Sequence, residues 1–283
     1  MSVLPSGAAR SRAVRSPSLL LRVVPLYPLS PRRAGTLVHR NLLVARRSWV
    51  VFASGFFEPF FYLLSIGVGI GGLVGDVVTD GGTALSYRQF VAPALMASAA
   101  MNGAVYDAVF NLYFKLRYAK LYDAVLATPV SAADAAVGET VWALLRGAVY
   151  SAAFLLVMLL LGLVGSWWAV LALPAAVLIG FAIAAVGLAA TTFLRGWQDF
   201  EFVQLAVLPL FLFSTTFYPL STYPRPLQVV VEWTPLYHGI ELVRGLVTGA
   251  VGWPLLVSVA YLLVMGLAGL ALGARRLESL LLR

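Results

Sequence analysis

The sequence predicts an all-α integral membrane protein with six transmembrane helices. Of its 283 residues, 61% are hydrophobic and 11% are charged, so the chain is far more apolar than a water-soluble domain. Long apolar stretches recur along it, and a helix needs about 20 apolar residues to cross a bilayer core. The basic residues are unevenly distributed around those stretches. Cysteine is absent and histidine occurs twice, which excludes disulfides, thiol catalysis and a histidine-rich metal site.

The apolar stretches define the spans. They are predicted at residues 49–75, 89–114, the two halves of 147–194, 202–217 and 253–274. The stretch 147–194 has no charged residue and is too long for one crossing. Turn formers and interfacial aromatics between Gly162 and Trp168 therefore divide it into spans three and four.

The distribution of Lys and Arg orients these spans. Of the 20 basic residues, 17 flank the spans on one side, and Arg88, Arg225 and Arg244 lie on the other. Positive charge accumulates on the cytoplasmic side of multi-pass proteins. We therefore expect a protein of the cell inner or plasma membrane with both termini in the cytoplasm.

The composition changes ahead of the first span. Residues 1–30 are rich in Ser, Pro and Arg and predict a disordered basic arm, followed by one transmembrane domain at 31–283. Residues 37–47, wrapped as a helix, predict an amphipathic helix lying on the anionic inner leaflet. Its apolar arc comprises Leu37, Val38, Leu42, Val44 and Ala45, its polar arc comprises His39, Arg40, Arg46 and Arg47, and Asn41 and Leu43 do not fit. The alternative is a solvated basic linker.

A polar segment separates spans two and three. Residues 115–129 mix helix formers with charges at helical spacing, and Pro129 ends that helix. Ser131 and Asp134 then resemble a capping box that begins the next helix. A short helix lying across the inner ends of two spans is suited to docking in a groove of a partner protein.

Residues 122–130, followed by Gly138 and Glu139, resemble the cytoplasmic coupling segment of ABC-2 type transporter permeases. Residues 57–64, 101–106 and 234–244 resemble further parts of that family in the same order. The branch with the greatest likeness contains export permeases for nodulation factors, which are lipo-oligosaccharides, and permeases of daunorubicin-type drug resistance.

The resemblance implies a permease that pairs with a second copy or a close relative. Two ATPase subunits on separate chains would drive it and would bind ATP and Mg, so this chain needs no cofactor or metal. The residues implied in coupling to the ATPase are Arg117, Lys120, Leu121, Asp123, Leu126, Thr128, Pro129 and Glu139.

ATP hydrolysis by this chain is not expected. A P-loop requires the pattern G-x-x-x-x-G-K-[ST], and the two lysines, Lys115 and Lys120, follow Phe114 and Ala119. A G-x-G-x-x-G pattern begins at Gly67 but lies in a membrane span without a βαβ context. We interpret Gly67, Gly71 and Gly75 instead as small residues for close helix packing.

Charged residues within spans need an explanation, because each costs roughly 2.5–3.5 kcal/mol at a helix centre on insertion scales. Glu58 in span one either lines a substrate route or bonds a neighbouring helix, and Asp107 has similar alternatives. No partner of either is identifiable in the sequence, so no proton relay is proposed. The candidates for a substrate route are Glu58, Phe61, Met96, Asn102 and Asp107.

Prolines interrupt the chain between spans five and six and predict a re-entrant pair of short helices on the outer side. The resemblance implies an extracellular gate there, with the candidate residues Pro219, Pro235, His238, Glu241 and Arg244. Glu241 and Arg244 are one turn apart and either pin the second short helix or form an ordinary interfacial ion pair. His238 is interpreted as an interfacial polar group rather than a metal ligand.

The expected function is export of an amphipathic lipid, a glycolipid or lipo-oligosaccharide, or a hydrophobic drug. One alternative is a membrane enzyme acting on lipids, but the sequence has neither H-E-x-x-H nor G-x-S-x-G. Another is a channel or ion-coupled carrier, for which repeated polar positions or an inverted repeat would be expected.

Overall fold

The computed structural model describes residues 30–47, 57, 60–79, 82–118, 130 and 132–281. These residues are almost entirely helical, which confirms the all-α class. The first half contains α1 (Pro31–Arg47), a π-helical segment (Ser65–Ile70), α2 (Gly71–Val74), α3 (Tyr87–Val105), a second π-helical segment (Tyr106–Asn111) and α4 (Leu112–Arg117). The second half contains α5 (Ala132–Leu160), α6 (Ala172–Thr191), α7 (Phe200–Phe213), α8 (Arg225–Glu232), α9 (Pro235–Thr248) and α10 (Trp253–Leu281). Short 3-10 segments lie at Trp167–Leu171, Trp197–Asp199 and Leu220–Thr222.

A small antiparallel hairpin precedes α3 and was not predicted. Its strands are β1 (Asp76–Val78) and β2 (Ala84–Ser86), with Val77 opposite Leu85. Ser86 then caps α3 in a capping box with Gln89, so the end of the hairpin fixes the start of the helix.

Three of the described helices are long and apolar enough to cross a membrane. They are Val137–Leu160, Trp167–Thr191 and Trp253–Arg276. The predicted division of residues 147–194 is confirmed, because α5 ends at Leu160 and Gly162 turns the chain with a φ of 67°. The count of six spans stays a prediction.

Helix α6 lies at the centre of the fold and contacts α3, α5, α9 and α10. Glycines of α10 make its closest contact, since a Cβ at Gly269 would lie 2.8 Å from the backbone nitrogen of Val186. The helix packing predicted for Gly67, Gly71 and Gly75 is found in part among the described residues, since Gly67 and Gly71 lie against the start of α3. Gly67 and Gly71 face the side chain of Arg88, whose Nε donates to the Gly67 carbonyl at 2.8 Å, and Gly75 faces open space with a φ of 73°.

The bundle has two ends that differ in composition. At one end, called the α1 end below, α1 packs against the start of α5, near α4. At the other, called the hairpin end, the β1–β2 hairpin, α8, α9 and the start of α10 lie together. Arg117 and Glu139, the two predicted coupling residues that the structure describes, therefore lie at the opposite end of the helices from the predicted gate.

Candidate coupling site

An ion pair joins the helices on either side of the predicted coupling segment. Lys115 of α4 donates through Nζ to Oε2 of Glu139 in α5 at 2.7 Å. Both side chains are largely buried, with exposed fractions of 13% and 10%. The contact closes the chain between residues 115 and 139 into a loop. Of the predicted coupling residues, Arg117 ends α4, and Glu139 lies in this pair; Lys120, Leu121, Asp123, Leu126, Thr128 and Pro129 lie outside the described residues.

Gly138 allows α1 to approach α5. A Cβ at this position would lie 2.9 Å from the carbonyl oxygen of Ala34 and 3.0 Å from Cβ of Leu37, closer than real Cβ contacts. Any side chain would therefore push α1 away. The Gly138-Glu139 pair, quoted above from the family resemblance, thus combines a close approach with an ionic contact.

Two acids of α5 bind α1 through charge. Asp134 is fully buried, accepts a bond from the backbone N–H of Ser30 at 2.7 Å, and lies 3.1 Å from Nε of Arg33. Glu139 accepts a bond from Asn41 at 3.1 Å and lies 3.9 Å from Arg40. Carboxylates removed from water need such partners. The attachment of α1 is therefore ionic as well as apolar.

The amphipathic pattern of residues 37–47 was predicted only in part. The helix exists, but its packed face comprises Ala34, Leu37 and Asn41, whereas Leu42 and Val44 are 44% and 59% exposed. Asn41, which did not fit the apolar arc, is buried because Glu139 accepts its amide hydrogen. Of the predicted apolar arc, Leu37 therefore packs against the protein, whereas Leu42 and Val44 form an exposed apolar strip.

A second ion pair lies deeper in the bundle. Nη1 of Arg146 in α5 is 3.1 Å from Oδ1 of Asp107, and Asn111 donates to the same oxygen at 3.4 Å. The guanidinium lies over the rings of Tyr106 and Tyr150, at 5.3 and 5.6 Å from their centroids. Asp107 therefore has a partner that its sequence neighbourhood did not reveal.

The two pairs form an ion-pair ladder, Lys115–Glu139 and Asp107–Arg146. Glu139 and Arg146 are two turns apart on α5 and so share a face. The polarity alternates, because α5 supplies the acid of one pair and the base of the other. A displacement of one helix along the other by two turns would place like charges together, so the ladder fixes their register. The signal in the sequence was Arg146 immediately before an uncharged stretch, two turns after Glu139.

The second π-helical segment carries Asp107. Its wider turn directs the carbonyl oxygen of Ala108 toward α6, where the hydroxyl of Thr191 lies 2.8 Å away. Gly187 of α6 leaves room for this approach, since its Cβ would lie 3.1 Å from Cβ of Ala108. The segment is therefore attached to α5 by charge and to α6 by a hydrogen bond.

Arg244 organises the hairpin end. It is 6% exposed, and its nitrogens donate to Glu241 Oε1 at 2.7 Å, to the carbonyl of Thr215 at 2.7 Å and to the carbonyl of Phe90 at 3.4 Å. Its guanidinium also lies 4.0 Å from the centroid of the Phe90 ring. The predicted Glu241–Arg244 pair is confirmed, and Arg244 connects α9 with α3 and with the bend after α7.

Thr215 in that bend has a φ of 60°, a conformation that is costly for a β-branched residue.

The other predicted gate residues begin or line α9. Pro235 occupies the first turn of α9, which Thr234 caps, and Pro219 precedes the 3-10 segment Leu220–Thr222. Nδ1 of His238 lies 3.1 Å from Oγ of Ser258, and its ring stacks on Tyr261 at 4.2 Å. Burial lowers the pKa of His238, although a bond with the backbone of Glu232 opposes the shift. Their role as a gate stays a prediction.

The residues predicted for a substrate route are dispersed. Met96 is fully buried in the core, whereas Phe61 is 59% exposed and Asn102 is also exposed. Asp107 lies in the ion-pair ladder, and Glu58 lies outside the described residues. Their part in a route stays a prediction.

Comparison with known proteins matches residues 32–248 to the ABC-2 type transporter family. Nodulation protein J of Rhizobium leguminosarum bv. trifolii is 31% identical over 194 residues, which are 68% of this chain and 72% of that protein. Nodulation protein J of Sinorhizobium fredii is 29% identical over 226 residues, covering 79% of this chain and 84% of that protein. The Azorhizobium caulinodans protein of the same name is 27% identical over 232 residues, covering 80% and 89%.

Proposed function

Because this chain belongs to the ABC-2 type transporter family, we propose that it is the membrane-spanning permease subunit of an ATP-driven exporter. ATP and Mg bind to a separate ATPase subunit, present in two copies. A second permease, identical or closely related, completes the path across the membrane. The six spans, the re-entrant helices and the cytoplasmic position of the α1 end are parts of this proposal.

The ion-pair ladder is the observation that carries the proposed mechanism. Closure of the ATPases on ATP displaces the coupling segment, and Lys115 and Glu139 bind its two flanking helices to each other at 2.7 Å. The helices therefore move together rather than separate. Asp107 and Arg146 extend that connection toward the middle of the bilayer.

Helix α1 acts as a support at the membrane surface. It is attached to α5 at Asp134 and Glu139, and it exposes Leu42, Leu43 and Val44. Those side chains enter the inner leaflet while Arg46 and Arg47 reach the lipid phosphates. Because α1 is bound both to α5 and to the membrane surface, it limits how far the start of α5 can move away from the interface.

The hairpin end acts as the outer gate, with Arg244 holding α9 against α3 in the closed state. The cargo is an amphipathic lipid, a glycolipid or lipo-oligosaccharide, or a hydrophobic drug. An apolar seam between two permease copies suits such molecules, because their chains need not enter water. The resemblance to export permeases for nodulation factors favours the glycolipid class within this range, and two of the matched relatives are named nodulation proteins.

The test is transport in proteoliposomes that contain the purified permease with its ATPase. Lipids that co-purify are identified by mass spectrometry, and their appearance on the side opposite the ATPase is measured after ATP is added. We expect transport to stop when the P-loop lysine of the ATPase is replaced by alanine. Transport that continues with that ATPase variant, or without any ATPase, contradicts the proposal.

A further inference from the structure

A cavity of about 630 Å³ opens at the hairpin end. Thr79 and Thr83, which follow β1 and precede β2, line it together with α9 and the start of α10. Its volume lies within the range of small-molecule binding sites. It is distinct from the ion-pair ladder, which lies at the other end of the helices.

The basic side chains that line the cavity are engaged or neutral, whereas one acidic side chain is not paired with a base among the described residues. Arg244 is occupied by Glu241 and by the carbonyl oxygens of Thr215 and Phe90. Burial lowers the pKa of His238, so its ring adds no positive charge at neutral pH. Glu232 also lines the cavity, and within the described part of the chain its carboxylate takes part in no ion pair. One carboxylate therefore remains without a basic partner, which disfavours an anionic ligand.

The hydrogen-bonding groups favour a ligand that donates. The hydroxyl of Thr79 donates to the carbonyl of Thr83 at 3.1 Å, and Ser258 is bonded to His238. The donors of Arg244 are also engaged. The carboxylate oxygens of Glu232 in this lining only accept hydrogen bonds, so they suit a ligand that donates them.

Aromatic faces and an apolar strip complete the surroundings. Tyr237 and Trp253 line the cavity, and Trp253 is 76% exposed. Aromatic faces beside a carboxylate attract ammonium groups. Leu256 and Val257 continue along α10 with exposed fractions of 57% and 48%, so an apolar chain has a surface to follow out of the cavity.

We propose that this cavity binds the ammonium group of an amphiphile, with the head between Glu232 and the rings of Tyr237 and Trp253 and the apolar chain along α10. The site does not depend on the transport proposal, because binding requires neither ATP nor a partner subunit.

The test is calorimetric titration of the full chain in maltoside micelles with three amphiphiles of equal chain length. They are octylammonium, octyl sulfate and octyl glucoside, each used below its critical micelle concentration. Every titration is repeated with Glu232→Gln and with a matched control, Glu201→Gln, which removes an exposed acid at the α1 end. Each amphiphile also partitions into the micelles, but to the same extent with wild type and both variants. Differences in binding between the three proteins therefore report binding to the cavity.

We expect octylammonium to bind saturably and its affinity to fall on the order of ten-fold in Glu232→Gln, with no change in Glu201→Gln. Trp253→Ala should weaken the same ligand several-fold. Equal affinity in wild type and Glu232→Gln would overturn the proposal. So would saturable binding of octyl glucoside or octyl sulfate that matches or exceeds the ammonium compound.

Discussion

Lys115 and Glu139 lie 2.7 Å apart and connect the helix before the predicted coupling segment to the helix after it. Their burial makes the loss of either partner costly, because the remaining charge would be left with neither water nor its counter-ion. The same carboxylate accepts the amide of Asn41 in α1. Glu139 of α5 therefore contacts both α4 and α1, beside the predicted coupling segment on which an ATPase would act.

Removing one member of this pair should destabilise the protein. Among the described residues, Lys115→Met leaves Glu139 with Asn41 and the more distant Arg40, and we expect a loss of unfolding free energy of roughly 3 kcal/mol. Lys115→Met combined with Glu139→Leu should lose less than the sum of the single variants. Unfolding in mixed micelles measures the cycle. Strictly additive losses would mean that the two residues do not interact.

The deeper pair should respond in the same way. Arg146→Gln leaves the Asp107 carboxylate, which is 4% exposed, with the amide of Asn111 at 3.4 Å as its remaining hydrogen-bond donor among the described residues. We expect a loss of roughly 3 kcal/mol, because a buried carboxylate without a cation is costly. Asp107→Asn with Arg146→Gln restores a neutral pair and should recover a large part of that loss. A double variant less stable than Arg146→Gln would contradict this account of the ladder.

Gly138→Ala should displace α1. Its Cβ would lie 2.9 Å from the carbonyl oxygen of Ala34, so the helices must separate, at a cost of about 1–3 kcal/mol. Gly147→Ala is the matched control on the same helix, because nothing lies within 4 Å of its Cβ. It should be neutral or stabilising by up to about 1 kcal/mol. Thermal unfolding of both variants compares them, and equal effects would refute a close approach at Gly138.

The sequence predicted those features that depend on residues close together in the chain. Apolar length and turn residues were sufficient for the division at Gly162, and the spacing of Glu241 and Arg244 was sufficient for their pair. Contacts between distant segments were not predictable in this way. Asp107 and Arg146 meet because a π-helical turn rotates one helix toward another, and no periodicity in a single sequence encodes that rotation.

The α1 end should be cytoplasmic and the hairpin end external. The chain has no cysteine, so Arg47→Cys in α1 and Thr222→Cys near α8 each introduce a single thiol. A membrane-impermeant maleimide applied to intact cells or spheroplasts should label the cysteine at 222 and should label the one at 47 only after permeabilisation. The reverse pattern would invert the proposed orientation, and labelling of both from outside would contradict the odd number of spans, five, proposed between them.

His238 should make stability depend on pH. Burial lowers its pKa in the folded protein relative to the unfolded chain, so folding favours the neutral ring. The stabilisation is complete above the unfolded pKa of about 6.5 and is lost as pH falls through the folded value. His238→Gln should therefore reduce the fall in thermal midpoint between about pH 7 and pH 5, measured in micelles. His39→Gln is the control, because it removes the only other histidine, an exposed residue of α1. A pH dependence that persists in His238→Gln and disappears in His39→Gln would assign the effect to α1 instead.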